Sequence, residues 1–546
     1  MEMAKASTQP SGKDAPGTET KVPHLRLVFS QKCISPEVID HPFPGSGTEI
    51  DPYMVDWLPN DPRNPHEIAT GMKWLITMIM AFGTLSISMS SSIFSGALPQ
   101  IGEDFDVSRQ LSVASISLFV LGFAVGPMSW APLSEIYGRQ IIYAITFTLA
   151  TVFGGASIAS KNIATLLVLR FFTGVCGSSA IVNAAGVISD MFEAKDRGLA
   201  VMVYTSAPFL GPSLGPICGG FLAQSSGWRW VDGLTVIFTG VMLILGLVLV
   251  PETYGPYLLM QRAKYLSKFH GKVCISKLEA GKPNETAGTV LRNAIARPWA
   301  ILFLEPIVTL LSIYSAIVYG ILYLIFTAFP IIFQGQRHWS QGVAGLSYVG
   351  VMVGQILAMI IYAFMETSNQ KRISKEPSRQ TPEARLDPAI LGGVLLPMGL
   401  FWFAWTTLTS IHWAVSIVGS TLFGIGQVLL FISLINYIID TYTVFSASAL
   451  AGAAILRALF GAAFPLFTTN MYERLGIQWG SSVPAFLALA CAPMPFFFRK
   501  FGRRLRERSK LAQEAHKTMT RMMTRGAQVV EKELVVSSDG RFQDEI

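Results

Sequence analysis

Apolar residues fall along this chain in long uninterrupted runs, parted by short polar stretches. A helix needs about 20 mostly apolar residues to cross a bilayer. That template places spans near 73–93, 111–131, 140–159, 163–186, 199–222 and 232–250, and again near 301–325, 341–364, 389–408, 412–435, 444–468 and 481–498. A charged stretch separates the two sets. The pattern predicts an all-α membrane protein with twelve transmembrane helices in two six-helix bundles, residues 71–251 and 299–498, joined by a cytosolic linker over 252–298. Residues 1–70 are rich in Pro, Gly, Ser and charge and read as a disordered tail. Residues 499–546 open with RKFGRRLRERSK, a basic tail at the inner surface.

Composition agrees with this pattern. Hydrophobic residues make up 51% of the 546 and charged ones 14%, against about 25% charged in soluble chains. The net charge of +7 follows from basic residues collecting in inner loops, so no nucleic-acid partner is expected. With the N-terminus inside, outer loops hold only Arg109, Lys161, Arg229, Arg337 and Arg474. The inner loops and linker hold several-fold more, which predicts both termini in the cytosol of a multi-pass plasma-membrane protein. The sequon at Asn284 then lies inside and carries no glycan. Five scattered cysteines suggest neither a disulfide framework nor a zinc site. No phosphate-loop motif occurs, so ATP is not a fuel and no cofactor is expected.

The halves resemble each other weakly. The first span ends GALPQI and the seventh TAFPII; the fifth holds FLGPSLGP before GWRW, and the eleventh LFGAAFP before IQWG. Such repeats build transporters whose substrate site lies between the halves near the midplane.

Three motifs carry the chemistry. APLSEIYGRQ, after the second span, sets Glu135 and Arg139 around the turn residue Gly138 at the membrane surface. In the fourth span LRFFTG buries Arg170 two turns inside, where a charge costs about 2.5 kcal/mol or more and demands a partner or a wet cavity. In the fifth, Gly211, Gly215, Pro216, Gly219 and Gly220 align small residues on one face, as close helix packing also would.

The first motif resembles the loop signature of the major facilitator superfamily, G-x-L-x-D-R-x-G-R-[RK]. Leu133, Gly138 and Arg139 match it; Ala131, Glu135, Ile136 and Gln140 depart from it. The second resembles the superfamily's fourth-helix signature, whose arginine is tied to proton transfer. The third is similar to the antiporter signature of its exporting branch, with every glycine and the proline present. PETYGPYLL after the sixth span, PEARLDPA before the ninth and YGILYLIFTAFP in the seventh look like features of fungal twelve-span drug:proton antiporters. This likeness covers about Met72 to Arg506.

It implies a secondary transporter, not an enzyme, that exports small amphipathic organic molecules in exchange for protons and works as a monomer. A facilitator-type importer of a nutrient or polyamine stays open, and the sequence does not choose between drugs and a self-made metabolite.

Candidate positions follow. Arg170, Asn183, Glu305, Asn436 and Arg457 are the candidates for proton coupling or cavity lining, with Arg170 expected to face the central cavity. Tyr319, Tyr323 and Phe326 form an aromatic stripe, with Gln355 a further cavity candidate. No carboxylate is expected deep in the bundle: Asp232 is placed near an outer end, and Glu305 is the nearest acid, about two turns into its span. At the inner surface Glu135 is expected to dock on the start of the eleventh span, near Phe445 to Ser448. Arg139 would bridge to Asp190, and together with Gly138 these residues form a conformational latch.

Overall fold

In the computed structural model the described residues are 24–29, 36–193, 196–278, 287–375, 381–509 and 511–514. Asn284 and most of the C-terminal tail lie outside them. The first half is built of Thr70–Ser92, Arg109–Tyr137, Arg139–Ile158, Ile163–Met191, Arg197–Ser226 and Trp228–Leu249. The second begins with Pro306–Phe329, Val349–Lys375, Asp387–Thr406 and Trp413–Tyr442. It ends with Ser446–Cys491, which turns sharply at Gly476 (φ 74°), and Pro493–Arg508. The fold therefore has the expected twelve spans.

Local chemistry explains the boundaries. Ser108 and Asn162 cap the second and fourth spans, each side chain accepting a hydrogen bond from the backbone N–H three residues on. The fifth span stays helical through Pro208, Pro212 and Pro216. Neighbouring helices and hydroxyls satisfy the freed backbone: the Ser92 hydroxyl donates to the Pro212 carbonyl at 2.7 Å. Those prolines and glycines make this helix less apolar than the other long helices of its half, although it crosses the bundle with them.

Helix pairing repeats between the halves. The first span packs on the fifth as the seventh does on the eleventh, and the second on the fourth as the eighth on the tenth. The third packs on the sixth as the ninth packs on the twelfth, through Trp405–Trp479 and Phe401–Phe486. Across the halves the second span meets the eleventh, and the fifth meets the eighth.

The ends differ from expectation. The stretch before Thr70, read as disordered, is ordered where it is described. Strand Tyr53–Val55 pairs in parallel with Cys274–Ser276 of the linker, and Asp61 binds Arg262 at 2.5 Å with both side chains buried. Helix Gly255–His270 and the beginning of Ala287–Leu304 give the linker structure of its own. Composition missed this because the partners lie some 200 residues apart in the chain.

Candidate functional site

Arg170 stands seven residues into its helix, about 10 Å from the outer end at 1.5 Å per residue. It is fully enclosed. Its guanidinium lies between the rings of Phe94 and Phe119, 4.4 Å from each centroid. It donates to the Ser90 carbonyl (2.5 Å), the Ser90 hydroxyl (3.0 Å), the Ser115 carbonyl (3.4 Å) and Asp232 Oδ1 (3.4 Å). Asp232 is itself buried, and the Ser157 and Thr235 hydroxyls also donate to it. A buried ion is tolerable only when paired and hydrogen-bonded, and here both conditions hold.

Two expectations change. Arg170 is packed within the first half instead of facing a central cavity. Asp232 does lie one turn into its helix, near the outer end, yet it is a buried acid because the long side chain of Arg170, on a helix that starts at the same side, reaches it.

The fifth span lies against the first through its glycines. A Cβ on Gly211 would come within 2.9 Å of the Met89 nitrogen, one on Gly215 within 2.7 Å of the Met89 oxygen, and one on Gly219 would strike the Ile93 carbonyl. Gly220 faces the other half, where a Cβ would stand 2.5 Å from the Gln341 oxygen, while the Pro216 carbonyl closes against Gly345. Hydrogen bonds tie the halves along this outer side: Ser91–Tyr323 (2.7 Å), Ser95–Tyr348 (3.0 Å), Gln100–Gln341 (2.9 Å) and Gly342 N–H to Gln224 (3.0 Å). Nearer the middle, the Ser213 hydroxyl donates to Gln355 at 3.0 Å. The halves are thus closed on this side, the one that the charge bias assigns to the outside.

Of the aromatic stripe, Tyr323 and Phe326 are buried and Tyr319 is partly exposed. Arg457 stacks over Tyr319 (5.4 Å) and Phe431 (5.5 Å). Gln355 donates to Gln427 at 3.5 Å, and the Gln427 amide nitrogen finds no acceptor among the described residues. Asn183 is buried and donates to the Ser179 hydroxyl at 2.9 Å. Asn436 lies further inward and donates to the Tyr362 hydroxyl at 2.7 Å.

Glu305 does not stand two turns inside its span. Pro306 interrupts the helix there, leaving Glu305 as the N-cap of Pro306–Phe329, where it accepts from the Tyr442 hydroxyl at 3.0 Å. Two clefts stand apart from this core. One, at the inner mouth, is lined by Tyr362, Glu366, Arg372 and Arg385, the other, at the outer rim, by Gln100, Asp104, Trp228 and Arg229.

At the inner end Arg139 Nε meets Asp190 Oδ2 at 3.3 Å, its Nη1 donates to the Ser134 hydroxyl at 2.6 Å, and its plane lies over Tyr254. Sequence reasoning gave no role to Glu252, the organiser of this turn. Its carboxylate accepts from the backbone N–H groups of Arg139 (3.0 Å), Gln140 (3.1 Å), Thr253 (2.9 Å) and Tyr254 (2.8 Å). Burial pushes its carboxyl above the usual range, and those four donors pull it back. Gly138 is required here twice over: its φ is 94°, and a Cβ would collide with the Glu252 carboxylate. The signal available in the sequence was an acid within PETYGP, directly after a span. Glu135 is exposed, and no hydrogen bond joins it to the Phe445–Ser448 turn among the described residues. The second half repeats the theme, with Arg385 bound to Asp440 (2.9 Å) and to Glu366.

Two repeated six-helix halves, sealed on one side around a polar middle, define a membrane transporter that works by exposing its centre to each side in turn. A profile described as the Major Facilitator Superfamily matches residues 80–465, and the chain belongs to that superfamily. It is 49% identical over 98% of its length to a protein named as an MFS-type efflux pump in Trichophyton rubrum, covering 90% of that protein. It is 48% identical to a major facilitator superfamily multidrug transporter of Aspergillus fumigatus, over 94% of this chain and 84% of the relative. Among solved structures, the proton:xylose symporter XylE aligns with a TM-score of 0.57 at 18% identity, covering 79% of this chain and 96% of that one. That likeness establishes the fold alone.

Proposed function

We propose that this protein is a secondary efflux transporter that moves small amphipathic organic molecules out of the cell in exchange for protons, with both termini in the cytosol of the plasma membrane. Relatives at nearly half identity over almost the whole chain are named as an efflux pump and as a multidrug transporter. The reading is supported by Gly211, Gly215 and Gly219 of the antiporter string, which pack on the first span, and by Gly220, which faces the other half.

The observation that carries the coupling is the buried pair of Arg170 and Asp232. Asp232 is the proton carrier: when it is protonated its attraction for Arg170 ends, and the guanidinium turns to the Ser90 and Ser115 carbonyls that already hold it. The first, second, fourth and sixth spans meet at this point, so the exchange biases how they pack. The inner turn of Glu135, Gly138, Arg139 and Asp190 is the latch of the opposite, outward-open state. In the present outward-closed state Glu135 is free to solvent and Arg139 holds Asp190 within its own half. Tyr319, Tyr323, Phe326 and Gln355 bound the substrate path. The protein acts as a monomer.

Inside-out vesicles acidified within should accumulate a neutral amphipathic dye such as Nile red, and a protonophore should abolish the accumulation. Accumulation that survives the protonophore removes proton exchange, and net movement out of the acidified vesicles makes the protein an importer.

A further inference from the structure

Arg457 lies eleven residues past Ser446, about 16 Å along its helix and so close to the middle of a bilayer about 30 Å thick. A cation at that depth requires an anion or water. Its partners are two rings, Tyr319 and Phe431, and among the described residues no carboxylate, hydroxyl or carbonyl accepts from it. Arg457 is partly exposed, and its neighbours Ile455 and Ala458 pack against the first half, which places the guanidinium at the seam between the halves. Tyr204 of the first half lies within its electrostatic reach.

A second observation points the same way. One helical turn from Phe431, the buried amide nitrogen of Gln427 has no acceptor among the described residues, while its oxygen accepts from Gln355. The seam thus offers donors in excess: a full positive charge and an unused N–H pair, flanked by aromatic faces. Buried donors left unmatched cost free energy, and the species that would satisfy these carries acceptor oxygens and a negative charge on a flat apolar body.

We infer that Arg457 is the head-group site for an anionic substrate, an aromatic monocarboxylate whose ring stacks on Tyr319 and Phe431 and whose second oxygen accepts from Gln427. The inference rests on the proposed transport role and narrows it to a substrate class. A carboxylate matches the planar fork of a guanidinium, and charge-assisted bonds of this kind exceed neutral ones. A neutral amide of the same shape keeps the stacking and loses the charge.

The test is equilibrium binding to purified full-length protein in nanodiscs at pH 7.5, with 4-butylbenzoate, 4-butylbenzamide and 4-butylbenzylammonium as probes. Binding does not depend on transport direction, so a failed export assay and a failed charge preference are separate results. The wild type should bind the benzoate at least about tenfold more tightly than the benzamide, with the ammonium weakest. Arg457→Gln should erase that preference while holding the benzamide within about twofold of its wild-type Kd, which also reports an intact fold. Arg457→Lys should keep part of the preference, having charge without the fork. The assignment is overturned if the wild type treats the three probes alike or does not bind the benzoate. It is equally overturned if Arg457→Gln retains the preference or loses the benzamide to the same degree, or if Arg457→Lys behaves as the Gln variant does.

Discussion

Among the described residues, Arg170 and Arg457 stand deep in the spanning helices, and their surroundings are opposite. Arg170 in the first half is fully enclosed, matched by Asp232 and given hydroxyl and carbonyl acceptors. Arg457 in the second half is partly exposed at the seam and rests on two rings with no acid beside it. On the roles proposed above, the same residue type at comparable depth serves two ends: a charge completed by the fold belongs to its internal mechanics, and a charge left incomplete belongs to the substrate.

The largest consequence is for stability. Arg170→Ala strands a buried carboxylate and should cost about 3–5 kcal/mol, seen as a sharp fall in folded, extractable protein. The double variant Arg170→Met with Asp232→Leu should recover most of that loss without recovering proton-driven transport. Arg457→Gln strands no charge and should change stability by less than about 1 kcal/mol in the same assay. Equal losses at the two sites would erase the contrast.

Asp232→Asn sharpens it next, by keeping the shape and removing the proton site. Substrate accumulation in acidified inside-out vesicles should fall about tenfold or more, while substrate exchange without a pH gradient persists. A variant still driven by the gradient would move the proton elsewhere.

A smaller effect comes from giving Arg457 the partner it lacks. Gln427→Glu places an acid one turn from Phe431 and should weaken 4-butylbenzoate binding several-fold while leaving 4-butylbenzamide nearly unchanged. Unaltered benzoate affinity would show that the guanidinium and Gln427 do not share a ligand.

The smallest should be Glu135→Gln. The residue is exposed in this outward-closed state, so stability should hold while turnover slows by a few-fold, the measure of one helix-end contact of about 0.3–2 kcal/mol. Wild-type turnover in this variant would leave Arg139 and Asp190 as a fixed brace within the first half.

The spans were legible because each is a local property: an apolar run announces itself whatever it packs against. The fifth helix was placed by the same apolar template although its prolines and glycines lower its hydropathy. Asp232 was not, since distance from a helix end says nothing about which neighbour arrives at that level, and Arg170 belongs to a helix some 60 residues earlier in the chain. Glu305 was misplaced for a local reason that was available, the helix break at Pro306. Glu252 and the strand pairing of Tyr53–Val55 with Cys274–Ser276 were hidden because their partners are far along the chain. Residue type alone marked Arg170 and Arg457 as equals, and only their surroundings separated them.

The outer closure has a consequence for the medium the protein faces. The hydrogen bonds that join the halves there run between hydroxyls, amides and carbonyls: Ser91 with Tyr323, Ser95 with Tyr348, Gln100 with Gln341, and Gly342 with Gln224. None of these groups titrates between pH 3 and 9, and mobile ions screen charges, not neutral dipoles. A longer-range attraction between Arg109 and Glu473 aside, the seal holds with the same strength in dilute or brackish surroundings and in acid or neutral ones. The inner ends are held by ion pairs instead. Ionic strength therefore reaches the ion pairs inside each half, Arg139–Asp190 and Arg385–Asp440 at one end and Arg229–Asp104 at the other, and hardly touches the neutral contacts that join the halves.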